Sequence, residues 1–243
     1  MSNGINSGRL IPLLTIDQNK LVKTRKFEYL KYLGDPINAV SMFGKFEVDE
    51  LIIIDLTPNF DTDEKLKIAR RLSHQALMPI SYGGGIRSLD FCENLFSAGF
   101  DKIILRNKLS DLLFLEKLSE KYGKQALTGC IDVTFSELDK IVSFNGIELT
   151  LEGSLDHVLR LTNNFVGEVM FNFKDLDGTR VGLPDNSFTR TIEQNINCPI
   201  IISGGCKSKN EALQYLGLHQ KFSVAASSIF TLQPPNDAVL IKY

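Results

Sequence analysis

Histidine is scarce in this chain, and the three present fit no metal or triad pattern. His74, His157 and His219 fall in stretches that read as outer helices or loops, with no two at a ligand spacing. That excludes a histidine-built zinc site and a catalytic histidine. The absence of a nucleophile elbow argues against a covalent serine hydrolase. Cysteine is equally sparse: Cys92, Cys130, Cys198 and Cys206 form no Cys-x-x-Cys pair. They read as reduced thiols at buried or strand-end positions. Cys206 lies in a glycine loop, where a space-filler is favoured over a reactive group. Charge of one sign is not in excess either. The net charge is −2, so nothing in the bulk balance points to nucleic acid or an anionic membrane, and any anion binding must be local. No apolar run reaches the roughly 18 residues of a membrane span. Met1-Ser2-Asn3-Gly4 lacks the charged and apolar regions of a signal peptide. No linker or low-complexity segment interrupts the chain. The expectation is one cytoplasmic domain over residues 1–243, with no metal and no cofactor.

What is present is a repeat. Met78-Pro79-Ile80 leads into Gly83-Gly84-Gly85-Ile86-Arg87-Ser88, and Cys198-Pro199-Ile200 leads into Ser203-Gly204-Gly205-Cys206-Lys207-Ser208, at an offset of 199 − 79 = 120. Asp55, closing Leu51-Ile52-Ile53-Ile54, and Asp175, following Val169-Met170-Phe171-Asn172-Phe173, share that offset. Two halves, each with an acid and then a glycine pair, predict a closed symmetric barrel with paired anion sites. The 243 residues match the length of about 250 typical of an eight-stranded βα barrel.

Eight short β-rich runs alternate with helical patterns, as βα units in a parallel sheet require. The predicted strands are Leu10–Leu14, Glu50–Asp55, Pro79–Tyr82, Lys102–Leu105, Gln125–Asp132, Glu168–Phe173, Pro199–Ser203 and Phe222–Ala226. The fold class is therefore α/β, a TIM-type barrel with a two-fold half-barrel repeat. Predicted helices include Asp63–Gln75, one beginning at Ser88, Ser110–Tyr122 and Asp185–Asn195. Asn145-Gly146 between two β-rich runs predicts a hairpin after the fifth strand.

In such barrels the chemistry lies where strand C-terminal ends meet the βα loops. The residues there are Thr15, Asp55, Gly83–Gly85, Arg106-Asn107, Asp132, Asn172 to Gly178, Gly204-Gly205 and Ser227-Ser228. Gly178, Gly205, Ser227 and Ser228 outline a phosphate site between the last loops. Gly85, Arg106 and Asn107 outline its counterpart, with 227 − 107 = 120 again. Glycines let backbone N–H groups approach an anion closely. Two such sites on opposite sides of one mouth predict a long substrate phosphorylated at both ends; the alternative is that the glycines only make tight turns. Asp55, Asp132, Asp175 and Asp177 are candidate proton-transfer groups, with Asp132 foremost because it directly ends a strand. At the opposite face, Arg9, Glu50, Lys102 and Glu168 stand at strand starts. By spacing alone they are either solvated edge charges or a salt-bridged ring across the axis.

The chain resembles the cyclase subunit (HisF) family of imidazole glycerol phosphate synthase over nearly its full length. The resemblance rests on Arg9-Leu10-Ile11-Pro12, Val22-Lys23, Gly34-Asp35-Pro36, Asp49-Glu50-Leu51-Ile52, Gly83-Gly84-Gly85-Ile86, Ile131-Asp132, Gly167-Glu168, Asp177-Gly178-Thr179, Ser203-Gly204-Gly205 and the Ala-Ser-Ser-Ile-Phe ending at Phe230. It implies a glutaminase partner (HisH-like), ammonia travelling through the barrel, and cyclisation of a bis-phosphorylated ribulosyl substrate. It also implies that Arg9, Glu50, Lys102 and Glu168 form the charged ring through which ammonia enters. The family's two catalytic aspartates fall at Thr15 and Asp132, so one is replaced by a hydroxyl. Loss of a positioned acid–base group costs about 10²–10⁴ in rate. Asp17-Gln18-Asn19 stands where an aspartate-glycine turn is usual, and Arg106-Asn107 replaces an Asn-Thr pair. These departures, with Lys31-Tyr32-Leu33-Gly34 and the ending Leu240-Ile241-Lys242-Tyr243, resemble paralogues of bacterial surface-polysaccharide systems. There such a barrel and its glutaminase work alongside an amidotransferase that makes an acetamidino sugar. The alternatives are an orthodox cyclase of histidine biosynthesis, a non-catalytic scaffold that activates a glutaminase, and the sugar isomerase of the same pathway. The isomerase fits less well, since it needs two acids at the mouth and no ring.

Overall fold

The computed structural model describes residues 8–58, 63–135, 140–144, 147–149, 151–185, 187–234 and 236–243. Eight strands alternate with eight helices: β1 Leu10–Asp17, α1 Pro36–Lys45, β2 Leu51–Asp55, α2 Asp63–Gln75, β3 Ile80–Gly83, α3 Leu89–Ser97, β4 Lys102–Leu105, α4 Leu112–Tyr122, β5 Leu127–Phe135, α5 Leu151–Asn164, β6 Glu168–Phe173, α6 Ser187–Asn195, β7 Ile200–Ser203, α7 Lys209–Leu218, β8 Phe222–Ala226 and α8 Ser228–Thr231. The strands pair in parallel in chain order, β8 pairs β1, and β5 pairs β6, so the sheet closes on itself. This is an α/β TIM barrel.

Local chemistry sets the helix starts. Asp35 accepts from the Asn38 amide at 2.9 Å ahead of Pro36, pre-set for the first turn. Ser88 caps α3 as expected, and Ser208 caps α7 at 3.1 Å. The fourth helix begins one residue beyond Asp111, not at Ser110, because Asp111 accepts from Phe114 N.

Strand alternation divides the apolar residues into two layers. Leu51, Ile53, Ile103, Phe171, Ile202 and Val224 face the helices in one large cluster. Ile11, Leu13, Ile52, Ile104, Cys130, Met170, Ile201 and Ala225 fill the barrel axis in a second. That phase decides which residues reach the mouth.

Two hairpins decorate the barrel. The one expected after β5 is present as Lys140–Phe144 against Ile147–Leu149, antiparallel; Asn145 and Gly146 lie outside the described residues. The other was not foreseen. The first strand does not stop before Thr15: it continues to Asp17, turns, and pairs with Lys20–Arg25, which pairs in turn with Tyr29–Gly34. The turn is made without glycine, by Gln18 and Asn19 at φ 45° and 62°. Two successive positive φ values are what a tight hairpin of this twist requires.

Candidate functional site

At the mouth, the inward phase of the strands presents Thr15, Ile54, Gly83, Arg106, Asp132, Asn172 and Ser203 to one cavity of about 280 Å³. Its other walls include Phe27, Leu56, Thr57, Gly84, Gly85, Ile86 and Asn107. Asp132 is only 7% exposed, and both its oxygens are engaged. Arg106 Nη1 donates to Oδ2 at 2.9 Å and Asn172 Nδ2 to Oδ1 at 3.0 Å. Arg106 Nε also donates to the Asn107 side chain at 3.2 Å. The arginine expected at a phosphate site is thus directed at the carboxylate.

The layering corrects the offset used to align the halves. Ile104 and Ala225 both lie in the axial cluster, so β4 and β8 correspond at 225 − 104 = 121. Arg106 therefore matches Ser227, and Asn107 matches Ser228. Leu13 matches Cys130 in the same cluster at 130 − 13 = 117. That places Thr15 and Asp132 in equivalent positions, as the resemblance implied.

Asp55 does not share its geometry with Asp175. It continues the outward phase of Leu51 and Ile53, and its side chain is 1% exposed. Tyr82 Oη donates to it at 2.7 Å, the Thr57 amide at 2.8 Å, and Lys65 Nζ stands 3.7 Å away. These bonds brace the first glycine loop against α2, and the residue also lines the mouth cavity. Its counterpart is Phe173: a Cβ on Gly84 would meet the Asp55 carbonyl oxygen, and one on Gly204 the Phe173 carbonyl oxygen. Asp175 sits in the short 3₁₀ turn Lys174–Leu176 that follows β6. Removing the Tyr82 hydroxyl (Tyr82→Phe) takes away a buried bond to a charged group; we expect a loss of about 2 kcal/mol in urea unfolding.

Asp177 is likewise committed. It accepts from Lys23 Nζ at 2.8 Å and Thr24 Oγ1 at 2.6 Å, tying the first hairpin to the loop after β6. Gly178, at φ 67°, lies where a Cβ would come within 2.5 Å of the Thr24 carbonyl oxygen. Beside it is a small cavity of about 30 Å³ lined by Lys23, Gly178, Arg180, Gly204, Gly205, Ser227 and Ser228. All four residues of the second predicted phosphate site meet here. Ser227 Oγ is buried with no partner among the described residues. The two cavities share Leu13, Asp177 and Ser203 in their walls. Lys23 and Arg180 were not anticipated as part of this site; they reach it only through the hairpin and through the turn after Gly178.

At the other end of the barrel Arg9, Glu50, Lys102 and Glu168 meet. Arg9 pairs with both glutamates, through Nη1 to Glu50 and Nη2 to Glu168. Lys102 Nζ stands 3.0 Å from Glu168 and 3.6 Å from Glu50. The glutamate side chains are 5% exposed, the cations 28% and 24%. Three hydroxyls complete the ring: Ser81 donates to Glu50 at 3.0 Å, Thr128 to Glu168 at 3.3 Å, and Ser223 accepts from Arg9 Nε at 3.3 Å. Edge charge in water is thereby replaced by a closed polar layer. The hydroxyls had a sequence signal: each is a polar residue in the inward phase of its strand.

Burial pushes the Cys130 thiol up to about 12, Cys206 to about 12 and Cys198 to about 11. The thiolate is the reactive form. Native protein at pH 8 is expected to resist iodoacetamide at these three positions and to label at all of them in urea, read by mass spectrometry. His219 is held by Glu193 at 2.8 Å, away from the mouth. Among the described residues no group of three His, Cys, Asp or Glu is placed to hold a metal, and no helix is long and apolar enough to cross a membrane.

Comparison with known proteins agrees with this architecture. The family model described as "Histidine biosynthesis protein" matches residues 9–233. The protein of Pseudomonas aeruginosa named "Putative imidazole glycerol phosphate synthase subunit hisF2" is 34% identical over 97% of this chain and 95% of its own length. A Leptospira borgpetersenii protein named "Putative imidazole glycerol phosphate synthase subunit HisF" is 32% identical over 97% and 94%. The "Imidazole glycerol phosphate synthase subunit HisF" of a Hydrogenobaculum strain is 29% identical over 91% and 89%. With the barrel, the ring and Asp132 in place, the chain belongs to the histidine biosynthesis protein family, as a HisF-like subunit of the imidazole glycerol phosphate synthase type.

Proposed function

We propose that this barrel is the ammonia-accepting synthase subunit of a glutamine amidotransferase complex, serving acetamidino-sugar formation in surface polysaccharide synthesis. The observation that carries the reading is the contrast between its two ends. The basal ring is closed and fully bonded, whereas at the mouth only one inward-facing strand position carries a carboxylate, Asp132, opposite Thr15; Asp55 and Asp177 also line the cavity but are held by Tyr82 and Thr57 and by Lys23 and Thr24. A HisH-like glutaminase docks below the ring and releases ammonia there. The axial layer above it, Ile11, Ile52, Ile104, Met170 and Ile201, offers no partner for a charge. An unpaired ammonium ion in that layer would pay a large desolvation cost, so nitrogen passes as neutral ammonia. At the mouth, a phosphorylated substrate is anchored by Gly178, Gly205, Ser227 and Ser228, and Asp132 handles the proton. An amidotransferase acts alongside.

The test is reconstitution with ammonium salt and the bis-phosphorylated ribulosyl intermediate. No imidazole glycerol phosphate is expected. Robust formation of it would instead establish the orthodox cyclase, with another group standing in for the acid missing at Thr15. The Arg106–Asp132 pair favours one second reading, a non-catalytic scaffold that activates the glutaminase. If Asp132→Asn leaves the whole complex fully active, the scaffold is correct; loss of activity supports a catalytic mouth.

A further inference from the structure

The two halves bring equivalent strand ends to the mouth with unequal chemistry. In the second half, Ser227 keeps a buried hydroxyl without a partner among the described residues, next to Gly204 and Gly205, which admit the backbone, while the cations beside it, Lys23 and Arg180, pair with Asp177 and Asp237 and leave that hydroxyl unengaged. In the first half the matching residue is Arg106, and its guanidinium is spent internally on Asp132 and Asn107. A phosphate that took over the Arg106 guanidinium, about half exposed, would draw it off Asp132. That would strand a carboxylate 7% exposed beside an incoming dianion, where like charges in a poorly solvated site repel. With Arg106 in place, the pair contributes no net positive charge. The remaining inward groups of the cavity, Thr15, Asn172 and Ser203, are neutral hydroxyls and an amide suited to an uncharged polar chain.

We propose that the mouth is built for a ligand carrying a single phosphate: a polyhydroxylated monophosphate, its phosphate beside Ser227 and its neutral end against Thr15, Asn172 and the Arg106–Asp132 pair, with Arg106 setting the selectivity. The proposal rests on reading the second half-site as a phosphate cradle. The shared walls of the small and large cavities let one ligand span both.

Titration calorimetry on the intact chain, with inorganic phosphate, ribose 5-phosphate and ribulose 1,5-bisphosphate as probes, tests it. One phosphate per chain is expected, and affinities for the two sugar phosphates within about threefold of each other. Two phosphates per chain, or a bisphosphate held more than about tenfold tighter than the monophosphate, would overturn the inference while leaving the cradle reading intact. No binding of any probe would overturn the cradle reading itself, and the inference with it. In Arg106→Asn, checked for native folding by its melting curve, the ratio of bisphosphate to monophosphate affinity should rise about tenfold. An unchanged ratio removes Arg106 from the explanation.

Discussion

Gly84→Ala is expected to be among the most damaging single substitutions in this protein, costing about 4 kcal/mol or more. A Cβ at Gly84 would stand 2.0 Å from the Asp55 carbonyl oxygen and 2.7 and 2.8 Å from the same residue's carbonyl carbon and amide nitrogen. Backbone cannot swing aside as a long side chain can. Asp55 is itself held by Tyr82 and Thr57. The φ of +117° adds strain for any residue with a Cβ. At about 2–4 °C per kcal/mol for a chain of this size, the melting temperature should fall by roughly 10 °C or more. Gly123→Ala is the control: its φ is +79° but nothing lies within 4 Å of the added carbon, so only the conformational cost of about 1–3 kcal/mol applies. Equal losses in the two variants would mean that the close approach of the loop to β2 contributes nothing.

Glu168→Gln is expected to cost about 2–4 kcal/mol. The substitution keeps the shape and removes the charge that Arg9 and Lys102 share. Breaking a buried pair is expensive because the partner is left uncompensated. The cations here are about a quarter exposed, so water offsets part of the loss. Urea unfolding measures the difference. Thr128→Val removes the hydroxyl bonded to the same carboxylate, and the double variant should lose less than the sum of the singles, since both act on one network. A Glu168→Gln loss under about 1 kcal/mol, in the range of exposed pairs, would show that the ring is no more than a surface contact. On the proposed role of the ring, the same variant in a complex reconstituted with a glutaminase should reduce the fraction of glutamine-derived ammonia that reaches the mouth.

Much of the fold was legible because its signals are local. Lys102–Leu105, Glu168–Phe173 and Phe222–Ala226 were read at their observed limits, since each is a short apolar run closed by turn residues. Ser88 announced its helix by the hydroxyl it offers the Phe91 amide. The hairpin formed by Lys20–Arg25 and Tyr29–Gly34 was missed. The bend leading into it from β1 is built from Gln18 and Asn19 and its own turn has Lys26 and Phe27 at positive φ, with none of the glycine that usually marks such bends, and its strands carry lysines and arginines that do not alternate cleanly with apolar residues. Lys23 and Thr24 came to the mouth with that hairpin, so the groups that hold Asp177 were missed with it.

The site was legible to a different depth. Its residue types and order came from the sequence: an acid in the fifth strand, which in the structure runs past Asp132 to Phe135, glycine loops in both halves, and four charges at strand starts. Linear order decides those because a barrel sends every strand's end to the same face. Which side chains meet across the axis was decided only by tertiary structure. A constant offset of 120 paired Asp55 with Asp175 and Ser227 with Asn107, yet a one-residue change of phase turns a side chain from the axis to the helices. Packing sent Asp55 to Tyr82 and Lys65, drew Arg106 onto Asp132, and closed Arg9 over both glutamates. Each of these contacts joins residues many positions apart, and no local pattern of the chain encodes the distance between them.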